Sequence, residues 1–340
     1  MKFAVCGNYG AQNLGDEMIL KGLILSLNQS FPAAEIKVIE HFPSGFRSFF
    51  KSLFKESETK KIVKECDYFI LGGGGLFGSL SFKANVIWLI QAYQAYRLGK
   101  RVLMLGQSVG EIKWGIIRYF VRRAFNKAHL IVVRDSNSKK VLEKLGVEKE
   151  IFVAPDFAFM LPTPAIQDSQ SEHKTAIIAL RYLFNLPVNF INILTDFCKF
   201  LLTEKNYHLK FINFQEGHES DAPLHEKIIQ NLNSPEKIEY LTQDKIDNLL
   251  TEFAQADFVI GMRLHSIICA LKANKPLIAL NYSSKVEGII QDANLQKNLL
   301  DPYNLNLDLL KKLFTELENQ KPEYQPDLST KFSLSSILAK

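Results

Sequence analysis

Short apolar runs alternate with helix-like stretches along most of this chain, and that alternation constrains its fold more than any other feature. The first series of runs lies at 2–6, 35–40, 67–71, 102–106, 130–133 and 151–154, with helical patterns at 16–29, 84–98, 115–127 and 136–145. The runs are continuously apolar, as expected of parallel strands covered on both faces. From Met160-Leu161-Pro162-Thr163-Pro164 to His173 the pattern gives way to Pro, Ser, Gln and Asp, which reads as a linker. A second series follows near 175–180, 208–214, 237–241, 257–261 and 276–281. The expected fold is α/β, two doubly wound Rossmann-like domains facing a cleft, spanning 1–162 and 174–304. Residues 305–340 form a helical, then Pro-rich tail that could cross back over the first domain.

A chain of 340 residues suits two cores, and 47% hydrophobic with 23% charged residues is ordinary for a globular protein. A formal charge of +5 favours anionic ligands without marking a nucleic-acid binder. Cys6, Cys66, Cys198 and Cys269 are far apart, and no CxxC or Cys/His spacing suggests a metal. Buried thiols in a reducing compartment are the natural reading. The chain begins directly as a strand with no signal-peptide core, and no run is long enough to span a membrane. A cytoplasmic location is expected. His41, His173, His208, His218 and His225 fall in polar or linker surroundings, and His129, at the start of an apolar strand, reads as a structural residue.

The densest chemistry sits at Gly261-Met262-Arg263-Leu264-His265-Ser266, directly after the apolar run Ala256–Ile260. Ligands of open α/β sheets bind where strands feed helices, and a helix N-terminus offers N–H groups to an anion. Arg263 supplies a permanent fork of donors, and His265 can move a proton near neutral pH. Arg134, Arg181 and Lys285 also follow apolar runs. Singly each reads as a solvated charge; together with Arg263 they suit a small, multiply charged anion. In the first turn, Gly7, Gly10 and Gly15 lack dinucleotide spacing, while Asp16 suits either a helix cap or a general base. Gly72, Gly73, Gly74 and Gly75 follow the run 67–71. A tight turn needs fewer glycines than four, so close approach of a ligand is the sharper reading.

Six pieces occur in order: Gly10–Glu17, Gly72–Phe77, Gly106-Gln107-Ser108-Val109-Gly110, Val133-Arg134-Asp135-Ser136, Asp156-Phe157-Ala158-Phe159 and Gly261–Ser266. Together, over roughly residues 1–290, they resemble the polysaccharide pyruvyl transferase family, whose bacterial members attach pyruvate as a ketal to cell-surface sugars. The resemblance implies a GT-B-like fold, phosphoenolpyruvate as co-substrate without a further cofactor, and a sugar acceptor, polymeric or lipid-linked. It also implies that Asp16, Arg134, His265 and Lys285 hold functional positions. Within that reading His265 is the acid and Asp16, facing it across the cleft, the base. Arg263, Arg134, Lys285 and Arg181 would bind the donor. Gly10, Gly15, Gly72–Gly75 and Gln107 would line the acceptor side. Arg181-Tyr182-Leu183 departs from the family's Arg-Pro-aromatic pattern. A nucleotide-sugar glycosyltransferase and a non-catalytic anion-binding scaffold are the alternatives.

One segment bears on partners. Between 46 and 55, Phe46, Phe49, Phe50, Leu53 and Phe54 share a helical face beside Arg47, Lys51 and Lys55. That pattern suits either an interfacial helix on an anionic membrane or an amphipathic helix packed on its own sheet.

Overall fold

The computed structural model describes residues 1–39, 58–78, 81–164, 173–232, 234–242 and 249–320, with 322, 324 and 326. The 46–55 segment and His41 lie outside these residues. Contacts divide the chain into two units: one holds Met1–Ala11 and Asp16–Leu161, the other Gln12–Gly15 and Pro162–Gln325.

In the first unit the elements run β1 (Lys2–Cys6), α1 (Leu14–Ser30), β2 (Glu35–Ile39), α2 (Glu58–Glu65), β3 (Tyr68–Leu71) and β4 (Gly74–Phe77). They continue with α3 (Phe82–Arg97), β5 (Arg101–Val109), α4 (Gly115–Lys127), β6 (Leu130–Val133), α5 (Ser136–Lys144) and β7 (Phe152–Val153). The strand order is β2-β1-β3-β5-β6-β7, with β4 also paired to β5, and every pairing is parallel. Side chains alternate across the sheet. Phe69, Leu71 and Met104 pack with Trp88 and Phe125 on one face, while Phe3, Val5, Ile70 and Leu103 pack with Ile19 and Leu23 on the other. Burial on both faces is what made these strands read as unbroken apolar runs.

The second unit contains β8 (Lys174–Ala179), α6 (Phe190–Thr203), β9 (Tyr207–Ile212), α7 (Ala222–Gln230), β10 (Ile238–Leu241) and α8 (Leu249–Gln255). After these come β11 (Phe258–Gly261), α9 (Leu264–Lys272), β12 (Leu277–Leu280), α10 (Ser284–Asp292), β13 (Leu299–Leu300) and α11 (Leu307–Leu317). The order is β10-β9-β8-β11-β12-β13, again parallel throughout. The helical part of the tail, α11, packs here: Phe314 meets the rings of Phe258 at 4.7 Å and Tyr207 at 5.6 Å.

The chain winds outward in both directions from β1 and β3 in the first sheet, and from β8 and β11 in the second. These are topological switch points, where the following loops diverge and leave room for a ligand. The β1 loop leads to Asp16 and the β3 loop carries the glycine run; the β8 loop carries Arg181 and the β11 loop carries Gly261–Ser266.

β4 is an element the sequence reading missed. The glycine run does not merely turn; it enters a strand whose Gly74 stands opposite Gln107 of β5. Glycine is a poor strand former, and tertiary pairing overrides that local preference.

Candidate functional site

In the first unit, three of the four consecutive glycines are explained by what lies against them. A Cβ on Gly72 would run into the Tyr9 hydroxyl, and one on Gly73 would come within 2.6 Å of Ile19 and 2.9 Å of the Gly106 carbonyl. Gly74 has φ +101°, open to glycine but strained for other residues, and its Cβ position lies 3.0 Å from Asp16 Oδ1. Gly75 alone of the four is exposed. Close approach is therefore real, but for these three it is approach by the chain's own β1 loop, α1 and β5.

Asp16 lies in the first turn of α1, two residues inside its start, so it is not the capping residue. Asn13 takes a local amide instead, its Oδ1 accepting from Gly15 N–H at 2.9 Å. Asp16 Oδ2 accepts from Asn8 Nδ2 at 2.8 Å, which fixes the carboxylate beside Gly74. An acid there also sits at the positive end of the helix. Tyr9 is fully buried, and burial followed by the Asp16 charge holds its phenol well above the ordinary value. Gln107 is buried on the interior strand β5, donating to Leu71 O at 3.1 Å while its Oε1 has no partner among the described residues. Gly10 has φ +75°, and its amide donates to Glu17 Oε1 at 2.7 Å.

Arg134 is not a solvated charge. Its Nε donates to Ser108 Oγ at 2.6 Å and its Nη1 pairs with Asp156 Oδ2 at 2.7 Å, both in the interior. Ser108 donates to Asp135, which caps α5 through Ser138 N–H at 2.7 Å. Ser138 Oγ in turn accepts from Val109 N–H. The pieces Gly106–Gly110, Val133–Ser136 and Asp156–Phe159 are thereby one hydrogen-bonded unit. Gly106 serves it as a bulge in β5, with φ +70° and the Phe157 ring where a Cβ would sit.

The second unit seats Gly261–Ser266 at its switch point. Met262 N–H donates to Ala179 O across to β8 at 2.8 Å, and Ser266 Oγ donates to Arg263 O at 2.6 Å. A Cβ on Gly261 would meet that Ser266 oxygen at 2.7 Å, so the turn tolerates nothing larger without adjustment. Arg263 is buried and grips Asp221 side-on, leaving Nη1 for other work; Asp221 also accepts from Tyr182 N–H at 3.1 Å. His265 stands half-buried in the first turn of α9. Its imidazole occupies the place a Cβ on Gly15 would need, which explains that glycine.

Arg181 at the end of β8 stacks on Tyr282, 4.8 Å from the ring centre, and donates to its hydroxyl at 2.9 Å. Lys285 is half-buried at the start of α10. The second unit thus gathers Arg263, His265 and Arg181 on the loops of β8 and β11, with Lys285 after the neighbouring β12. The first gathers Asp16, the glycine run and Gln107.

Two histidines differ from their sequence reading. His129 is exposed, resting on the Tyr68 ring at 6.1 Å. His225 is fully buried, and its Nε2 accepts from Leu180 N–H at 3.1 Å. Burial, followed by the Arg263 charge, drives its pKa down to about 3. The spacing of Leu224 and Ile228 around it was the available signal. All four cysteines are free and buried, and burial pushes the Cys6 and Cys198 thiols up to about 12.

The fold is that of GT-B proteins. UDP-GlcNAc 2-epimerase from Methanocaldococcus jannaschii, solved with UDP-GlcNAc and UDP, superposes with a TM-score of 0.62 at 14% identity, covering 100% of this chain and 99% of the other. S. aureus MnaA, solved with UDP, gives 0.61 at 14% identity, covering 99% and 94%. In sequence, the amylovoran biosynthesis protein AmsJ of Erwinia amylovora is 24% identical over 90% of this chain and 89% of its own length. The polysaccharide pyruvyl transferase family model matches residues 13–284. That span takes in the Asp16 turn, the glycine run, the buried Arg134 network and the Gly261–Ser266 turn: the chain belongs to the polysaccharide pyruvyl transferase family.

Proposed function

We propose that this protein transfers the pyruvyl group of phosphoenolpyruvate to two hydroxyls of a sugar in a cell-surface polysaccharide or its lipid-linked precursor, forming a ketal and releasing phosphate. The Gly261–Ser266 turn carries this reading. It holds a buried arginine and a half-buried histidine at a switch point, beside the cationic Arg181. Family membership supports the same class of reaction, and the likeness to a protein named for amylovoran biosynthesis supports a biosynthetic role.

In this mechanism His265 protonates C3 of the enol. One sugar hydroxyl oxygen bonds to C2, giving its proton to Asp16. The second oxygen then bonds to C2 as the C2–O bond to phosphate breaks. Over the cycle the two hydroxyl protons are balanced by the new methyl C–H and the released phosphate. Arg263, Arg181, Lys285 and Arg134 are the candidates for the donor's carboxylate and phosphate. Arg263 and Arg134 bring only the part of each guanidinium that their buried carboxylate partners leave. Phosphoenolpyruvate is an intracellular metabolite, which supports a cytoplasmic reaction. No helix among the described residues is long and apolar enough to cross a membrane.

The test is phosphate release from phosphoenolpyruvate across a panel of acceptor glycans. His265→Ala should lose most turnover while donor binding persists, and a near-normal rate would remove His265 from the mechanism. Thermal shift separates donors: stabilisation by nucleotide sugars and not by phosphoenolpyruvate would favour a glycosyltransferase instead.

A further inference from the structure

Away from the switch points, the first unit carries a helix whose solvent side is both apolar and basic. α4 turns Ile117, Val121, Ala124 and Phe125 into the core. On the opposite side Ile116, Tyr119 and Phe120 remain 57%, 51% and 39% exposed, and their spacing puts them on one stripe. Arg123 and Lys127 continue that stripe, with Arg118 and Arg122 beside it, all exposed. No Asp or Glu occurs from Lys113 to Lys127.

The aromatic part is built rather than incidental. Phe120 stands edge-on to Tyr93 of α3 at 6.0 Å and to Tyr119 at 5.3 Å. Arg123 donates to the Tyr119 hydroxyl at 3.0 Å, tying that ring to the basic stripe. Phe82, 43% exposed at the start of α3, belongs elsewhere: it meets Trp114 edge-on at 5.4 Å, and Trp114 packs on the core side of α4. Among the exposed acids around it, Glu111 precedes the helix and Glu148 makes a surface pair with Arg122 at 3.4 Å, and such pairs hold little.

Contiguous exposed apolar area marks a surface made to be covered. The flanking charge selects the cover. Aromatic and branched side chains settle at the headgroup level of a bilayer, while Lys and Arg reach the lipid phosphates around them. The exposed loop with Phe184 and Val188 in the second unit offers the contrast: no Lys or Arg lies from Tyr182 to Asn189. We propose that the exposed side of α4 is the surface by which this protein settles on an anionic phospholipid bilayer. It is distinct from the 46–55 segment, and its test does not involve the reaction.

The experiment is co-sedimentation of the full chain with phosphatidylcholine vesicles containing about 30% phosphatidylglycerol. Binding should be at least tenfold weaker on pure phosphatidylcholine and should fall at about 0.5 M salt, where surface charges are screened. The pair Ile116→Ser with Tyr119→Ser, and separately Arg118→Glu with Arg122→Glu, should each weaken binding at least tenfold with an unchanged unfolding midpoint. Lys51→Glu with Lys55→Glu is the control outside α4: if α4 carries the bilayer contact, binding should stay within about twofold. Absence of binding to anionic vesicles overturns the proposal. So does binding untouched by the α4 variants, or lost only with the 51/55 pair. Sedimentation velocity showing that the α4 pairs abolish self-association instead would make the face a contact between copies, and would likewise overturn it.

Discussion

Arg263 and Asp221 meet side-on inside the second unit, Nε to Oδ2 at 2.8 Å and Nη2 to Oδ1 at 2.6 Å, with the carboxylate fully buried. Removing one member of such a pair leaves an uncompensated interior charge. Asp221→Ala should therefore destabilise by about 3–5 kcal/mol in urea unfolding. Asp221→Asn keeps the shape and loses the charge, so its unfolding penalty should be smaller. Its KM for phosphoenolpyruvate should rise more than its kcat falls, because Arg263 loses its orientation. A loss under about 1 kcal/mol for the alanine variant would mean that the pair is solvated.

The glycine at 72 makes room for one oxygen atom. Gly72→Ala should cost about 1–3 kcal/mol, the usual range for overpacking a full interior. Tyr9→Phe removes the hydroxyl that the new methyl meets; the next atoms, Tyr9 Cζ and Cys6 O, lie at 3.1 and 3.4 Å. Combining Tyr9→Phe with Gly72→Ala should restore at least about half of the loss, an interaction read directly from a double-mutant cycle. Strict additivity of the two changes would refute the packing account.

His225 gives the fold a predictable acid limb. In the unfolded chain a histidine takes up its proton near pH 6.5; in the folded chain burial delays this to about 3. Protonation between those values therefore favours the unfolded state. The contribution is absent above about pH 6.5 and grows by about 1.4 kcal/mol per unit below it, reaching about 2 kcal/mol at pH 5. His225→Gln keeps an acceptor for Leu180 N–H and should flatten stability between pH 6.5 and 5. An unchanged slope in that variant would assign the acid limb to other groups.

Asp16→Asn preserves an acceptor for Asn8 and so should preserve the turn. As the loss of a general base it should lower phosphate release by about 10²–10⁴-fold, with phosphoenolpyruvate binding retained. A tenfold or smaller effect would leave Asp16 a structural residue of the α1 turn.

Much of the fold was legible because parallel strands buried on both faces leave a coarse signal. Runs such as Phe69–Leu71 and Val259–Ile260 are apolar at every position. The Gly261–Ser266 turn could also be located, since a strand feeding a helix is a local event. What escaped depended on partners far along the chain. Arg134 read singly as a solvated charge, and Arg263 as an anion's donor fork, because their partners Asp156 and Asp221 lie 22 and 42 residues away. The glycine run suggested a ligand because what crowds it, the Tyr9 hydroxyl, Ile19, Gly106 and Asp16, is distant in sequence, and β4 was hidden because Gly74 gains strand geometry only opposite Gln107. His225 was lost among the polar residues of its helix, though Leu224 and Ile228 share its buried side.

The buried chain of contacts from Asp156 through Arg134 and Ser108 to Asp135 bears on how relatives of this protein are sorted. Three of the six sequence pieces that mark the family meet in that scaffold, and a descendant that had abandoned the reaction would need it just as much. Those pieces certify ancestry. Under the mechanism proposed above, whether a given member is still an enzyme would be judged instead at Asp16 and His265, which lie outside that network.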